Sequence, residues 1–179
     1  MEFKNSKTYA NLMAAFAGES QARNKYTYYA EEAEKNGYRQ IGNIFKETAE
    51  NERAHAEIWF KLLHDNKMPS TPDGLADAAA GEWFEFSDMY KKFAVDAREE
   101  GFNEIAFLFD AVGNIEKEHH DRFLKLAENI KQGIVFKRDG IKLWLCQNCG
   151  NIHVAEAAPA VCPVCKVPQS YFEIKSENY

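Results

Sequence analysis

Hydrophobic residues recur along two long stretches of the chain with the spacing of one face of an α-helix. The stretches cover 41–62 and 105–130, and the positions of each step alternately by four and by three residues. A period of 3.5 residues keeps such positions on one helical stripe, so the pattern predicts two long helices with buried stripes. The stripe members are Ile41, Phe45, Thr48, Glu52, His55, Trp59 and Leu62, then Ile105, Phe109, Val112, Glu116, His119, Phe123, Leu126 and Ile130.

The two stretches are copies within a longer repeat. A shift of 64 residues superposes Ala30 on Ala94 (94−30) and Gly37 on Gly101 (101−37). In each copy, the glycine comes between an upstream helical pattern and the stripe, where it is suited to end a helix in the left-handed conformation. The sequence therefore predicts two helical hairpins, and four helices in all.

Each stripe contains a Glu-x-x-His pair, Glu52 with His55 and Glu116 with His119, also 64 residues apart (116−52 and 119−55). A carboxylate on a buried apolar stripe costs several kcal/mol unless a positive charge meets it. One such pair is common by chance on a charged helix, but two pairs in the same register predict a dinuclear metal site.

The first helix of each hairpin supplies further acids. The tripeptide Ala-Gly-Glu ends at Glu19 in one copy and at Glu82 in the other, and Glu85 follows one turn later. These tripeptides align at a shift of 63 (82−19), one less than the rest of the repeat. The third helix therefore contains one extra residue between Glu82 and Ala94, and we predict that a π-bulge absorbs it.

Four glutamates and two histidines match the ligand set of a carboxylate-bridged di-iron bundle, and Glu85 is a fifth acid in surplus. Carboxylate and imidazole ligands without thiolate favour iron or manganese over zinc, although zinc can occupy such positions. Oxidation of two ferrous ions adds two positive charges, so Glu85 is a candidate redox-responsive ligand. The candidate ligands and catalytic residues are Glu19, Glu52, His55, Glu82, Glu85, Glu116 and His119.

A second metal site is predicted near the carboxyl end. All four cysteines of the chain lie there in two knuckles, Cys146-x-x-Cys149 and Cys162-x-x-Cys165. Four thiolates at this spacing bind one tetrahedral metal, either a structural zinc or a single iron for electron transfer. The spacing alone leaves both metals open.

Together these motifs resemble the rubrerythrin family over essentially the full length of the chain. The resemblance rests on Ala17-Gly18-Glu19-Ser20-Gln21-Ala22-Arg23-Asn24-Lys25-Tyr26, on Glu82-x-x-Glu85, on the two Glu-x-x-His pairs and on the cysteine knuckles. It implies an all-α, ferritin-like four-helix bundle with one long crossover over 1–133. A small, β-rich, rubredoxin-like metal-knuckle domain is then expected over 134–179.

The resemblance also implies an activity, a non-haem peroxidase that reduces hydrogen peroxide to water and protects against oxidative stress. Two irons would lie in the bundle and one iron at the cysteines, with electrons arriving from NAD(P)H through a rubredoxin-type reductase or rubredoxin. In the family one iron exchanges a glutamate for a histidine, which here means Glu85 giving way to His55. Family members are typically homodimers or larger.

Several other residues have more ordinary interpretations. Tyr26 and Tyr90 lie one or two turns from the acids of their own helices, where a phenol can donate a hydrogen bond to a ligand carboxylate or serve only as core. His64 is expected to complement the end of its helix, and His120 points about 100° away from its neighbour His119. Neither is expected to bind metal. His153 is expected to be a solvent-facing loop residue.

The connecting segments are predicted from turn-forming residues. The stretch 66–74 contains two prolines and a glycine and is expected to form an irregular connection between the halves. Beyond Gly133, which should end the last helix, Ile134–Phe136 and Ile141–Trp144 are expected to be short strands around a turn at Arg138–Gly140.

Composition restricts the partners and the compartment. The net charge is −6, without a cluster of lysine and arginine, which argues against nucleic acid and anionic membranes. No apolar stretch resembles a membrane span or a secretory signal, and every cysteine is assigned to metal, so a cytoplasmic protein is expected. Two rival functions are a ferroxidase, which has little need of a cysteine relay, and a zinc-stabilised binding protein, which has little need of five inward acids.

Overall fold

The structure, a computed structural model, describes residues 2–178, and its helices form two hairpins. The first hairpin consists of α1 (Lys7–Lys35) and α2 (Arg39–Leu63). The second consists of α3 (Thr71–Phe84), a π-helical turn (Glu85–Met89), α4 (Tyr90–Glu99) and α5 (Asn103–Lys131). The chain divides into two compact units, one up to Ser70 and one from Thr71 onward. Four helical arms followed by a small β-rich module confirm the expected fold class.

Glycine ends the first helical arm of each hairpin, as the repeat predicts. Gly37 and Gly101 have φ values of +84° and +87°, in the left-handed region that glycine adopts without strain. The following amides reach back into the helix: Tyr38 N–H donates to the Ala33 carbonyl at 2.8 Å, and Phe102 N–H donates to the Ala97 carbonyl at 2.7 Å. These bonds satisfy carbonyls that the helix end leaves free, so the same local chemistry turns both hairpins.

Small residues form the contact line within each hairpin. Ala30, Gly42 and Ala49 are buried in the first hairpin, and Ala94 and Ala106 are buried at the same repeat positions of the second. The predicted apolar stripes flank this line and are half-buried or exposed, with Ile41 48% and Ile105 47% exposed. Two paired helices shield from solvent only the residues on the line of contact between them. The stripes are therefore less buried than the sequence pattern predicts.

The extra residue of the third arm is absorbed by the π-helical turn Glu85–Met89, which confirms the prediction from the repeat count. Tyr90 N–H donates to the Glu85 carbonyl, five residues back instead of four. One residue is thereby added without ending the helix. Glu85, the surplus acid, is the first residue of this turn.

The connection between the hairpins is shorter than predicted. α3 begins at Thr71, so Thr71–Gly74 are helical although they were expected to belong to the connection. Pro72 lies in the first turn of α3. Backbone N–H groups there have no acceptor within the helix, so the N–H that proline lacks costs no hydrogen bond. The proline therefore suggested an irregular connection in the sequence, although it marks the start of a helix.

The carboxyl-terminal module is a three-stranded antiparallel sheet in the order β2-β1-β3, with β1 Lys137–Cys146, β2 Ile152–Ala157 and β3 Phe172–Ile174. The predicted turn at Arg138–Gly140 is wrong, and so is the predicted strand Ile134–Phe136. β1 begins at Lys137 and continues through Arg138–Gly140. Its pairing is irregular between Lys137 and Lys142, where Gly140 has φ +72°. A bulge with left-handed glycine has the composition of a turn but leaves the strand continuous.

The core of this module surrounds one tryptophan. Trp144 is 0% exposed, and its indole N–H donates to the Ala155 carbonyl at 3.1 Å. Cys146, Cys162 and Phe172 pack with it in one buried cluster. Two of the four cysteines are therefore part of the core itself, which ties the folding of the module to the state of its sulfur atoms.

Candidate metal centres

The first hairpin brings together three of the predicted ligands. Glu19 comes from α1, and Glu52 and His55 come from neighbouring turns of α2. His55 Nδ1 lies 2.9 Å from Glu52 Oε2 and 3.9 Å from Glu19 Oε1. The Glu52 side chain is 16% exposed. One imidazole nitrogen thus faces two carboxylates, an arrangement that can hold a divalent cation in place of the Nδ1 proton.

The second hairpin repeats this arrangement with Glu82 from α3 and with Glu116 and His119 from α5. His119 Nδ1 lies 2.7 Å from Glu116 Oε2 and 3.6 Å from Glu82 Oε1. The one-residue offset between Glu19 and Glu82 does not disturb the match, because the π-helical turn comes after Glu82. The duplicated motif therefore gives duplicated side-chain geometry.

The acids of the second hairpin repel one another. Burial is the main cause that raises the pKa of Glu82, followed by the charge of Glu116, and Glu85 adds a smaller contribution. A cation among these oxygens would remove the repulsion, so the donor set fits a metal ion. Among residues 2–178, the close-set group of this hairpin comprises Glu82, Glu116 and His119, and Glu85 lies beyond it.

Tyr90 belongs to this acidic environment. Burial, and then the charges of Glu85, Glu116 and Glu82, raise the pKa of its phenol. The ring also contacts Phe109 of α5, with 6.0 Å between centroids. A phenol that stays protonated beside carboxylates can donate to them. Tyr26, its repeat partner (90−26 = 64), packs 6.1 Å from the Phe45 ring in the first hairpin.

The four cysteines form a close-set group, with all four Sγ atoms within 4.8 Å of one another. Cys146 Sγ lies 3.7 Å from Cys165 Sγ, and Cys149 Sγ lies 3.7 Å from Cys162 Sγ. Four sulfurs at about 2.3 Å from one metal are separated by about 3.8 Å along each tetrahedral edge. The observed separations fit a metal ion and exceed the length of a disulfide bond, about 2 Å.

Hydrogen-bond donors around Cys162 and Cys165 favour the thiolate form of these two residues, whereas the pKa of Cys149 is raised to about 12. The Asn148 side chain, followed by the Val167 N–H, lowers the pKa of Cys165 to about 6. The N–H groups of Cys165 and Val164 lower the pKa of Cys162. Each knuckle closes with a left-handed residue, Gly150 at φ +76° and Lys166 at φ +66°. The position of Lys166 was not predicted, because only the first knuckle carries the expected glycine.

The other histidines lie outside these groups of candidate ligands. His64 follows α2 and donates from Nδ1 to the Phe60 carbonyl at 2.8 Å, in agreement with its expected role at a helix end. His120 donates from Nδ1 to the Ala79 carbonyl at 2.8 Å. His153 was expected in a loop but belongs to β2, where it pairs with Trp144.

Comparison with known proteins identifies similar sequences over nearly the whole chain. The family model described as rubrerythrin matches residues 10–127, and the model of the rubrerythrin rubredoxin-like domain matches 144–173. Rubrerythrin-1 of Clostridium acetobutylicum and rubrerythrin of Clostridium perfringens are each 47% identical over 191 residues, with 98% of both chains covered. Nigerythrin of Nitratidesulfovibrio vulgaris is 33% identical over 177 residues, which cover 92% of this chain and 85% of its own.

Solved structures of nigerythrin also match. A mixed-valence structure is 33% identical and covers 95% of this chain and 87% of its own, with a TM-score of 0.36. A fully reduced, all-ferrous structure is 32% identical and covers 97% of this chain and 91% of its own, with a TM-score of 0.37. The assignment to a family rests on the sequence matches alone.

The matches and the side-chain groups agree on the metals. The chain carries a di-iron carboxylate/histidine site and a rubredoxin-like four-cysteine site. Within residues 2–178, every helix is too short or too polar to cross a bilayer.

Proposed function

Because this chain belongs to the rubrerythrin family, we propose that it is a peroxidase that reduces hydrogen peroxide to water at its di-iron site. Its electrons come from NAD(P)H through a rubredoxin-type reductase or rubredoxin, and then through an iron at the four cysteines. The observation that carries the proposal is the presence in one chain of two matched Glu–Glu–His groups and a tetrahedral cysteine group. The first two suit two-electron chemistry at oxygen, and the third suits one-electron transfer.

Each Glu–Glu–His group holds one metal through hard oxygen and imidazole ligands. His55 and His119 present Nδ1 to Glu52 and Glu116, so these atoms would hold a metal ion, and any proton on Nδ1 would have to leave. When bound, two ferrous ions supply the two electrons that cleave the peroxide O–O bond without release of a hydroxyl radical. The four carboxylates Glu19, Glu52, Glu82 and Glu116 neutralise the charge of two divalent ions.

Two further residues of the second hairpin, Glu85 and Tyr90, act on the metal ligands. Glu85 lies close enough to influence the pKa values of Glu82 and Tyr90, although it is outside the close-set group. A fifth carboxylate at that place would stabilise the higher positive charge of an oxidised site, and by likeness to the family His55 would take its place in the reduced site. Tyr90 remains protonated beside the acids and orients a carboxylate by hydrogen bonding.

The cysteine site relays electrons and depends on a reducing environment. Cys149 is exposed and Cys165 is half-buried, so sulfur reaches the surface where a redox partner can approach. Free thiols serve as ligands only where disulfides do not form, which supports a cytoplasmic location. By likeness to its family, the protein acts as a homodimer or larger assembly.

The proposal is tested by iron-loaded protein supplied with NAD(P)H and a rubredoxin-type reductase. NAD(P)H oxidation should begin on addition of peroxide, with one NAD(P)H consumed per peroxide because both are two-electron reagents. Protein loaded with zinc in place of iron is the matched control and should consume none. NAD(P)H oxidation that is equally fast with oxygen alone, or absent with peroxide, would contradict the proposal.

A further inference from the structure

His120 connects α5 to α3 by a hydrogen bond between side chain and backbone. Its Nδ1 lies 2.8 Å from the Ala79 carbonyl oxygen, and because a carbonyl only accepts, Nδ1 carries the proton. Ala79 is 3% exposed, so the bond lies within the packed seam of the second hairpin. The bond begins one residue after the candidate ligand His119.

The His120 ring also packs on the residues that follow two candidate acids. Its centroid is 5.3 Å from the ring of Trp83 and 5.7 Å from the ring of Phe86, and these two rings are 5.0 Å apart. Trp83 directly follows Glu82, and Phe86 directly follows Glu85. The His120 ring therefore contacts side chains on both sides of the junction between α3 and the π-helical turn.

The first hairpin lacks this cluster. The repeat partner of His120 is Ala56 (120−56 = 64), and there an open groove of about 470 Å³ lies between α1 and α2. Ala56, Phe16, Ser20, Arg53 and Phe60 contribute to its lining. Only the second hairpin contains the extra residue and the fifth acid, and there three aromatic rings occupy the corresponding position.

We propose that His120 is a positioning residue: its hydrogen bond to the Ala79 carbonyl holds the α3 and π-turn backbone against α5. A π-helical turn is rare and interrupts the regular bonding of an α-helix, so contact with a neighbouring element helps to hold it in place. With the backbone held, a change of metal coordination would move the Glu85 side chain and would leave Glu82 in place. The proposal deepens the proposed function, because it says what positions the two acids of that site.

Hydrogen exchange of the metal-free, full-length chain tests the role of the His120 hydrogen bond. The measurement needs no turnover, so its result can contradict this proposal without contradicting the peroxidase proposal. In His120→Ala, amides within 79–90 should exchange at least about tenfold faster, while amides of α1 and α2 keep their rates. The matched control is His64→Ala, which removes an equivalent Nδ1 bond, to the Phe60 carbonyl, and a ring contact of 4.2 Å with Phe60. It should leave 79–90 unchanged.

Two further variants separate the hydrogen bond from the ring. His120→Asn keeps a donor nitrogen at the place of Nδ1 and should restore most of the protection, whereas His120→Phe keeps ring packing and should exchange as fast as His120→Ala. If the alanine variant is insoluble, the asparagine and phenylalanine variants decide. Wild-type exchange in His120→Phe, or equal acceleration in His64→Ala, would overturn the proposal.

Metal binding gives a readout that general loosening elsewhere would not affect. Mn²⁺ prefers carboxylate and imidazole to thiolate, and its free-ion EPR signal disappears on binding. His120→Ala should weaken Mn²⁺ binding by about tenfold to a hundredfold, His120→Asn should recover it, and His64→Ala should bind as wild type. Unchanged Mn²⁺ affinity in His120→Ala would show that the bond does not position the acids.

Discussion

A Cβ atom placed on Gly113 would lie 3.2 Å from the Cβ atom of Tyr90, so α5 and α4 meet closely here and a side chain fits only if Tyr90 shifts by a few tenths of an ångström. The repeat partner of Gly113 is Ala49 (113−49 = 64), which is 4% exposed in the first hairpin. The same seam thus accepts a methyl group beside α1, whereas beside the start of α4 a methyl group would press on Tyr90. This contact fixes the Cβ from which the Tyr90 phenol extends.

Gly113→Ala should therefore destabilise the metal-free protein, although alanine is the better helix former. The helix preference gains about 1 kcal/mol and the overpacking costs about 1–3 kcal/mol, for a net loss of about 1 kcal/mol. Gly18→Ala is the matched control, because a Cβ there meets nothing within 4 Å, and it should be neutral or stabilising. Denaturation midpoints measure both, and a stabilised Gly113→Ala variant would show that Tyr90 gives way to the added methyl group and that the contact is not destabilising.

The raised pKa of Glu82 predicts a pH-dependent effect on stability. Because the pKa is higher in the folded than in the unfolded protein, its favourable contribution is complete at acidic pH. That contribution is lost as the pH rises through the folded-state pKa. Glu82→Gln stays neutral, so it should raise the melting temperature of metal-free protein more near neutral pH than at about pH 4.

The control for this measurement is Glu118→Gln, which removes an exposed acid from α5. Its effect on the melting temperature should be small and nearly the same at both pH values. The Glu82→Gln variant should also bind less metal, because one ligand oxygen is no longer charged. A stabilisation by Glu82→Gln that is equal at both pH values would show that ionisation of Glu82 is not its cause.

Local backbone chemistry made much of the helical region predictable. The one-residue mismatch between the Ala-Gly-Glu alignment and the rest of the repeat predicted the π-helical turn now seen at Glu85–Met89. Gly37 and Gly101 predicted two hairpin turns because left-handed backbone favours glycine. Both signals are local, so neither needs knowledge of tertiary contacts.

Features that depend on context were less predictable. Pro72 suggested a loop, but a proline in a first helical turn fits α3, and Gly140 suggested a turn where β1 contains a bulge. The hydrogen bond from His120 to Ala79 had no signal at all, because the acceptor is a backbone carbonyl and any residue type supplies one. The Glu-x-x-His groups were predictable because the duplication itself marked them.

Glu85→Ala should impair the oxidised state of the di-iron site and leave the cysteine site intact. Peroxide turnover or di-iron occupancy should decrease by about tenfold to a hundredfold, because the fifth carboxylate no longer offsets the added charge. The visible spectrum of the ferric thiolate site should not change. Asp88→Ala removes an exposed acid from the same π-helical turn and is the matched control. Unchanged turnover and iron content would remove Glu85 from the mechanism.

Cys149→Ser should have the opposite effect. The exposed thiolate completes the tetrahedral set, so its loss should abolish NAD(P)H-linked turnover through the reductase. Di-iron protein that has been reduced chemically should still react with peroxide at close to the wild-type rate. Reductase assays measure electron delivery through the cysteine site, and single-turnover mixing measures the reaction of the di-iron site with peroxide. Retained reductase-linked activity would show that the cysteine site is not the electron relay.

The central claim is that peroxide takes electrons from the cysteine iron by way of the di-iron site. Its most direct test is to reduce the iron-loaded protein without oxygen, mix it rapidly with peroxide or with oxygen, and follow the ferric-thiolate absorbance. We expect this absorbance to return fast with peroxide and slowly with oxygen. Faster return with oxygen, or no visible absorbance from the four-cysteine site of iron-loaded protein in any state, would contradict it.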